Sequence, residues 1–442
     1  MRTRYCIIAD DFTGAGDTAV QFRKQGYSVY LPLKDRESSR LPDRYDILVL
    51  STESRFLSRE ESRQVVSSTV ESCMRMGFTR FFKKIDSTLR GQVAVEIGAV
   101  MDAAGYGCAL VAPAVPQNGR TVVDGHCLVG GVPLNAEGNG KDLFNPVEHS
   151  SIPRILEAEY PGAVGLIGLS VVRQGGEAFR ERLMELRRLG NRIIVADSEN
   201  LEDLKVVAGV RDDESILFVG ASGLSEALAE GEARTVEPPV FPRVEPGRMV
   251  FVVGSITAVS GVQLKELERT VPVSVISVQI PGILRGEEEE ASRIRQELSR
   301  MSGSRPLVIH TRDPRRELRE DVALAGREGI REIELGEKIA AFLGKLCAGI
   351  FRERSVEMLF LTGGNTAARI AEAMGMEGIE FLSEVLPGIP LGRFSLDRGR
   401  KESYLITKAG GFGSPEAMIR IYESLSAEVK PAELSKSNLL KS

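Results

Sequence analysis

Short apolar, β-branched runs alternate with longer stretches of helical spacing along most of the chain. In the first half this pattern predicts strands at Tyr5 to Ala9, Ser28 to Leu31, Ile47 to Leu50, Phe81 to Ile85 and Cys108 to Ala112. Three more are expected at Val164 to Leu169, Arg192 to Val195 and Ile216 to Val219. Helical spacing follows the first strand as far as about Lys24 and returns at Ser58 to Met76, where Gly77 supplies a stop. It recurs at Val93 to Ala104, Glu177 to Arg188 and Ser222 to Ala229. Between the fifth and sixth strands lies a polar, Gly-rich, hairpin-like stretch. Alternation of this kind builds an open, largely parallel sheet with helices on both faces.

The run Val236-Glu237-Pro238-Pro239-Val240-Phe241-Pro242-Arg243-Val244-Glu245-Pro246-Gly247 reads as an extended, semi-rigid linker. Alternation restarts after it. Strands are expected at Met249 to Val253, Val273 to Val278, Pro306 to His310, Met358 to Leu361 and Ser403 to Ile406. Helices are expected at Val259 to Glu268, Glu287 to Met301, Gly336 to Phe351 and Thr366 to Met374. The fold class is therefore α/β with two domains, 1–238 and 247–427, followed by a polar tail, 428–442.

Composition narrows the function classes. A chain of 442 residues is too long for one compact core, and 42% hydrophobic content fills two. A net charge of −5 argues against bulk nucleic-acid binding, and the absence of tryptophan against base stacking. No apolar run reaches the roughly 20 residues of a membrane span, and the N-terminal apolar run ends in Asp10-Asp11, unlike a secretory signal. Five cysteines without CxxC spacing fit reduced, buried thiols and a cytoplasmic location. His126, His149 and His310 stand alone, as core or surface histidines do.

In open parallel sheets, ligands bind beyond the carboxyl ends of the strands. The first strand is followed by Asp10-Asp11-Phe12-Thr13-Gly14-Ala15-Gly16-Asp17-Thr18. Its glycines let backbone N–H groups approach a ligand. Its carboxylates can accept hydrogen bonds from hydroxyls, hold Mg²⁺ or act as a base. Lys84, Asp86, Ser87, Thr88 and Arg90 flank the end of another strand, where an Arg fork and a Lys suit a carboxylate or phosphate. Pro113 to Thr121 could line the same cleft. In the second half, Gly254-Ser255-Ile256-Thr257, Thr362-Gly363-Gly364-Asn365-Thr366 and Lys408-Ala409-Gly410-Gly411-Phe412-Gly413-Ser414 each follow a strand. Repeated small-residue loops in that context can cradle polyphosphate with backbone amides. Neither a Walker A loop nor GxGxxG with its acid is present.

Thr13 to Thr18 looks like the TGAGD anion-hole motif of ribokinase-type sugar kinases, but that motif lies late in a single domain, so the likeness reads as convergence. In order and together, the blocks resemble the four-carbon acid sugar kinase family over nearly the whole chain. Ala9 to Asp17 is similar to the family's ADDFTGAND-type opening, with Gly16 where Asn is common. Lys83 to Gly91 resembles its KxDSTLRG block, and Gly254-Ser255, Gly363 to Thr366 and Gly410 to Gly413 its C-terminal glycine blocks, with Asn365 as a departure.

The resemblance implies an ATP-dependent kinase, with a sugar-acid domain first and an ATP domain second. The phosphoryl group would go to the terminal (C4) hydroxyl of threonate, erythronate or 3-oxo-tetronate. Carried over by position, ATP contacts fall on Ser255, Gly363, Gly364, Asn365, Thr366 and Gly410. Substrate contacts fall on Asp10, Thr13, Gly14, Lys84, Ser87, Thr88 and Arg90. ATP and Mg²⁺ are the implied cofactors, and a homodimer is left open. The active site is expected in the interdomain cleft, with closure bringing the γ-phosphate into line. Asp11, Asp17 and Asp86 are the candidates for the proton acceptor, with a lean to Asp86 because cations surround it. The rivals are a kinase for another sugar acid or polyol, and a nucleotide- or metabolite-binding regulator without turnover.

Overall fold

The computed structural model describes residues 5–34, 41–136, 147–230, 234–236, 238–254, 257–311, 316–396 and 401–428. The expected tail beyond Glu428 lies outside them. Two compact units are present, Met1–Glu237 and Pro238–Ser442.

In the first unit, β1 (Tyr5–Ala9), β2 (Val29–Pro32), β3 (Ile47–Ser51), β4 (Arg80–Lys84) and β5 (Cys108–Ala112) precede a small antiparallel sheet. That sheet is β6 (Arg120–Val123), β7 (His126–Val129) and β8 (Val132–Pro133), the hairpin that the glycines of this stretch announce. The main sheet then gains β9 (Val164–Ile167), β10 (Ile193–Ala196) and β11 (Ile216–Gly220). Its order is β2-β3-β1-β4-β11-β5-β10-β9, and every neighbouring pair is parallel. Strands β3, β5, β10 and β11 are buried along their whole length, as a sheet covered on both faces requires. The chain runs from β1 outward to β2 and back to β3, then crosses to β4 on the other side of β1. The gap between β1 and β4 is thus a topological switch point, where loops diverge and leave room for a ligand.

The second unit contains β12 (Met249–Val253), β13 (Ser274–Val278), β14 (Leu307–Thr311), β15 (Met358–Thr362), β16 (Gly378–Leu386), β17 (Ile389–Leu396) and β18 (Lys401–Lys408). Its order is β13-β14-β12-β15-β18-β17-β16. The pairs from β13 to β18 are parallel, while β18, β17 and β16 are antiparallel. The hairpin of β16 and β17 was not among the expected elements. Gly388, at φ +73°, turns the chain between them in a conformation that glycine adopts without steric cost. Phe251 and Val253 of β12, Met358 and Phe360 of β15, and Met418, Ile421 and Leu425 of a helix at Ala417–Leu425 share one core. That helix and another at Arg316–Arg327 were also missed by periodicity.

The proline-rich segment is less free than its composition suggests. Val240 exchanges hydrogen bonds of 2.8 and 2.9 Å with the Ser383 hydroxyl, and Val244 bridges to Ser426. From Val240 onward it is fastened to the second unit. All five cysteines are buried and free, and among the described residues no helix is long and apolar enough to cross a membrane.

Candidate functional site

Parallel register brings three strand ends together in the first unit. Ala9 lies opposite Ser51 on one side and Lys84 on the other, so the loops after β1, β3 and β4 emerge side by side. The loop after β1 turns at once into α1 (Phe12–Lys24). Asp11 is its N-cap: its Oδ1 accepts from the Gly14 amide at 2.9 Å, and its Oδ2 from the Thr13 hydroxyl at 2.8 Å. A Cβ at Gly14 would sit 2.4 Å from Asp11 Oδ1 and 2.6 Å from Lys84 Nζ. The glycine is what lets the lysine and the capping carboxylate close over the turn.

Arg55, from a short turn after β3, joins the loops. Its Nε donates to Asp10 Oδ2 at 2.8 Å, one terminal nitrogen lies 2.8 Å from Asp11 Oδ1, and the same nitrogen lies 3.9 Å from Asp86 Oδ1. Asp86 is held from its other flank by Arg90, whose Nε and Nη2 reach its two oxygens at 2.6 and 3.0 Å, and it also accepts from the Thr88 hydroxyl. Asp10 keeps one oxygen, Oδ1, buried and without a partner among the described residues. An unpaired buried acceptor is costly and suits a ligand hydroxyl.

Lys83 and Lys84 part company because successive side chains of a strand face opposite ways. Lys83 is fully buried against Glu96 at 2.6 Å and donates to the Lys84 carbonyl at 3.0 Å. Glu96 in turn accepts from the Ser54 hydroxyl at 2.9 Å, next to Arg55. This pair underpins the strand ends. Lys84 faces the acids instead: Asp17 Oδ1 is 3.9 Å from its Nζ, and among the described residues Nζ makes no hydrogen bond. Its three ammonium protons remain available to an anion.

The charges set the carboxylates apart. Burial, aided by the Asp11 and Asp10 carboxylates, pushes Asp17 up to about 7 despite Lys84. Burial would also raise Asp86, but the Arg90 and Arg55 guanidiniums overcome it and hold that carboxyl well below the usual range. Asp10 is likewise lowered against its burial, mainly by Arg55. Glu53, in left-handed backbone at φ +49°, is pushed up to about 8 by burial, with Asp11 adding to the shift.

In the second unit, register again aligns three strand ends. Val253 of β12 lies opposite Thr362 of β15, and Thr362 opposite Lys408 of β18. A helix at Gly364–Met374 opens after β15, with Gly363 as its N-cap and, among the described residues, no side chain capping it. The first-turn amides at Gly364, Asn365 and Thr366 are therefore unclaimed by a cap, as an anion site at a helix N-terminus requires. Thr366 packs on Gly254, where a Cβ would fall 2.6 Å from its hydroxyl. Thr257 and Ser260 donate to the Gly410 carbonyl at 2.7 and 3.0 Å, tying the first and third loops together. A triphosphate fits this donor set of backbone amides. Magnesium finds less: among the described residues, no group of three or more His, Cys, Asp or Glu could hold a metal. The ion ordinarily keeps waters and rides on substrate phosphates.

The structure thus brings Asp10, Asp11, Thr13, Gly14, Asp17, Lys84, Asp86, Thr88 and Arg90 to one switch point. Ser87 stands in the same loop, its carbonyl accepting from Cys127 at 3.4 Å. Gly363, Gly364, Asn365, Thr366 and Gly410 gather at the second unit's strand ends, while Ser255 lies outside the described residues. Sequence reasoning missed Arg55, Glu53 and Glu96, and took Lys408 only as the start of a glycine loop. Only the position of Glu53 and Arg55 just past a β3 strand end could have flagged those two.

A family model for a sugar-binding N-terminal domain matches residues 5–228, and one for a nucleotide-binding C-terminal domain matches residues 250–418. A D-threonate kinase of Salmonella typhimurium LT2 is 32% identical over 418 residues, covering 93% of this chain and 96% of its own. A D-erythronate kinase of Heliobacterium modesticaldum is 29% identical, over 97% and 99% of the two chains. A 3-oxo-tetronate kinase of Methylobacterium radiotolerans is 30% identical, over 92% and 96%. Among solved structures, a Salmonella typhimurium LT2 protein described as a tRNA synthase superposes with a TM-score of 0.77 at 25% identity, covering 95% of this chain and 98% of its own.

Proposed function

Since this chain belongs to the four-carbon acid sugar kinase family, we propose that it transfers the γ-phosphoryl group of ATP to the terminal (C4) hydroxyl of a four-carbon sugar acid. Threonate, erythronate and 3-oxo-tetronate are the substrates to expect. One observation carries the reading. A sugar-binding and a nucleotide-binding domain match consecutively, and each holds, at its strand ends, loops of the chemistry its half needs.

The residues divide the work as follows. Lys84, with open donors, clamps the substrate carboxylate or the transferring group. Asp10 Oδ1 accepts from a substrate hydroxyl. The reacting hydroxyl gives its proton to Asp17, whose buried carboxyl is set near neutral pH, where a general base works best. Asp86 is a poorer base than its cationic surroundings suggested, because those cations already engage both its oxygens and hold it ionised. It keeps Arg90 and Arg55 in place. The hydroxyl oxygen forms the new bond to the γ-phosphorus as the bond to the β–γ bridging oxygen breaks, and ADP leaves. The nucleotide would rest on the amides at Gly363, Gly364, Asn365, Thr366 and Gly410, with Ser255 beside them; bound ATP supplies the phosphoryl group.

The test is ADP release from Mg-ATP across a panel of sugar acids. Turnover is expected with at least one four-carbon acid. Turnover confined to five- or six-carbon acids, or ATP binding with no turnover at all, would overturn the proposal.

A further inference from the structure

Lys408 is a buried titratable group with no part in the chemistry above. It ends β18 with its side chain fully enclosed, and burial pushes it down to about 7. Its ammonium donates to the carbonyls of Ala409 at 3.0 Å, Gly410 at 3.3 Å and Phe412 at 3.1 Å. Three acceptors match three ammonium protons, an arrangement that favours the charged form. Gln263, also fully buried, spreads its Nε2 over the carbonyls of Phe412, Gly413 and Ser414 at 2.9, 3.1 and 2.9 Å.

Two side chains therefore draw the carbonyls of one glycine loop inward. In a planar trans peptide the N–H points away from the C=O. Turning the carbonyls of Ala409, Gly410, Phe412 and Gly413 inward turns the amides of Gly410, Gly411, Gly413 and Ser414 outward. Among the described residues none of these four amides is paired with a backbone carbonyl. Successive outward amides make an anion-binding concavity. We infer that Lys408 and Gln263 are positioning residues that hold this loop as a phosphate nest for the nucleotide, without touching the nucleotide themselves. The inference rests on the nucleotide reading above and adds to it the device that keeps the amides aimed.

The experiment is calorimetric titration of the full chain with Mg-ATP and, separately, with the four-carbon acid that the panel selects. Variants are compared at a temperature where circular dichroism shows them folded. Lys408→Met should weaken ATP binding by about tenfold or more, the scale of one lost charge-assisted hydrogen bond. Sugar-acid affinity should stay within about twofold, a split that general destabilisation would not produce. Lys408→Gln keeps two N–H donors and should bind ATP more tightly than Lys408→Met. If Lys408→Met does not fold, Gln263→Leu carries the same expectation. Folded variants that bind ATP as wild type does overturn the inference alone, as does equal loss of both ligands. Wild-type protein that binds no ATP overturns the nucleotide reading and this inference with it.

Discussion

Asp17 and Asp86 are both buried carboxylates beside cations, yet their neighbours push them in opposite directions. The distinction lies in geometry. Two guanidiniums reach Asp86, whereas Asp17 has one ammonium at 3.9 Å and two carboxylates nearby. A base must be ionised to accept a proton, so kcat/KM should fall as pH drops through about 7. Asp17→Asn should lower kcat by about 10²-fold or more and abolish that limb. A pH–rate profile that keeps its acid limb in Asp17→Asn would return the role to Asp11 or Asp86. Arg55 makes a different prediction. Arg55→Met leaves Asp10 and Asp11 buried without their guanidinium, which should cost about 3–5 kcal/mol, read by urea unfolding; a loss under about 1 kcal/mol would show that the acids find other partners.

At the level of elements, α1 and its loop form one device, because the residue that caps the helix also holds Thr13 and Arg55. Gly14→Ala puts a methyl against Asp11 and Lys84, so the turn must open. Overpacking of this kind costs about 1–3 kcal/mol, and sugar-acid KM should rise with it; unchanged KM in a folded Gly14→Ala protein would detach the turn from substrate binding. The helix at Arg59–Arg75 provides the contrast. Ser58 and Glu61 form a reciprocal cap at its exposed start. Ser58→Ala should cost about 1 kcal/mol while leaving both KM values untouched. Most helices and parallel strands were legible because burial on one stripe or along a whole strand writes a period into the residues. The β16–β17 hairpin escapes that period although Pro387-Gly388 marks its turn, since its strands follow no βα alternation.

At the scale of the whole molecule, the proposed function divides the ligands between the two matched domains. Mg-ATP should slow amide hydrogen exchange at 363–366 and 410–414, and a four-carbon acid should slow it at 10–17 and 86–90. Protection by ATP in the first set of loops but not the second is expected; the reverse would exchange the roles of the units. What the chain's own order of residues determined is the α/β class, the division in two, and the loops that carry chemistry, because periodicity, prolines and glycine-rich strand ends are local signals. Tertiary structure alone decided which charges meet. Arg55 reaches Asp10 across 45 positions and Asp86 across 31, so in one dimension it looks like any solvated arginine. Likewise Lys83 and Lys84 are adjacent and alike until strand pleating sends one to a structural glutamate and the other to the acids. Carboxylate acidity follows from those encounters, since Coulomb forces and desolvation depend on distance in space rather than along the chain.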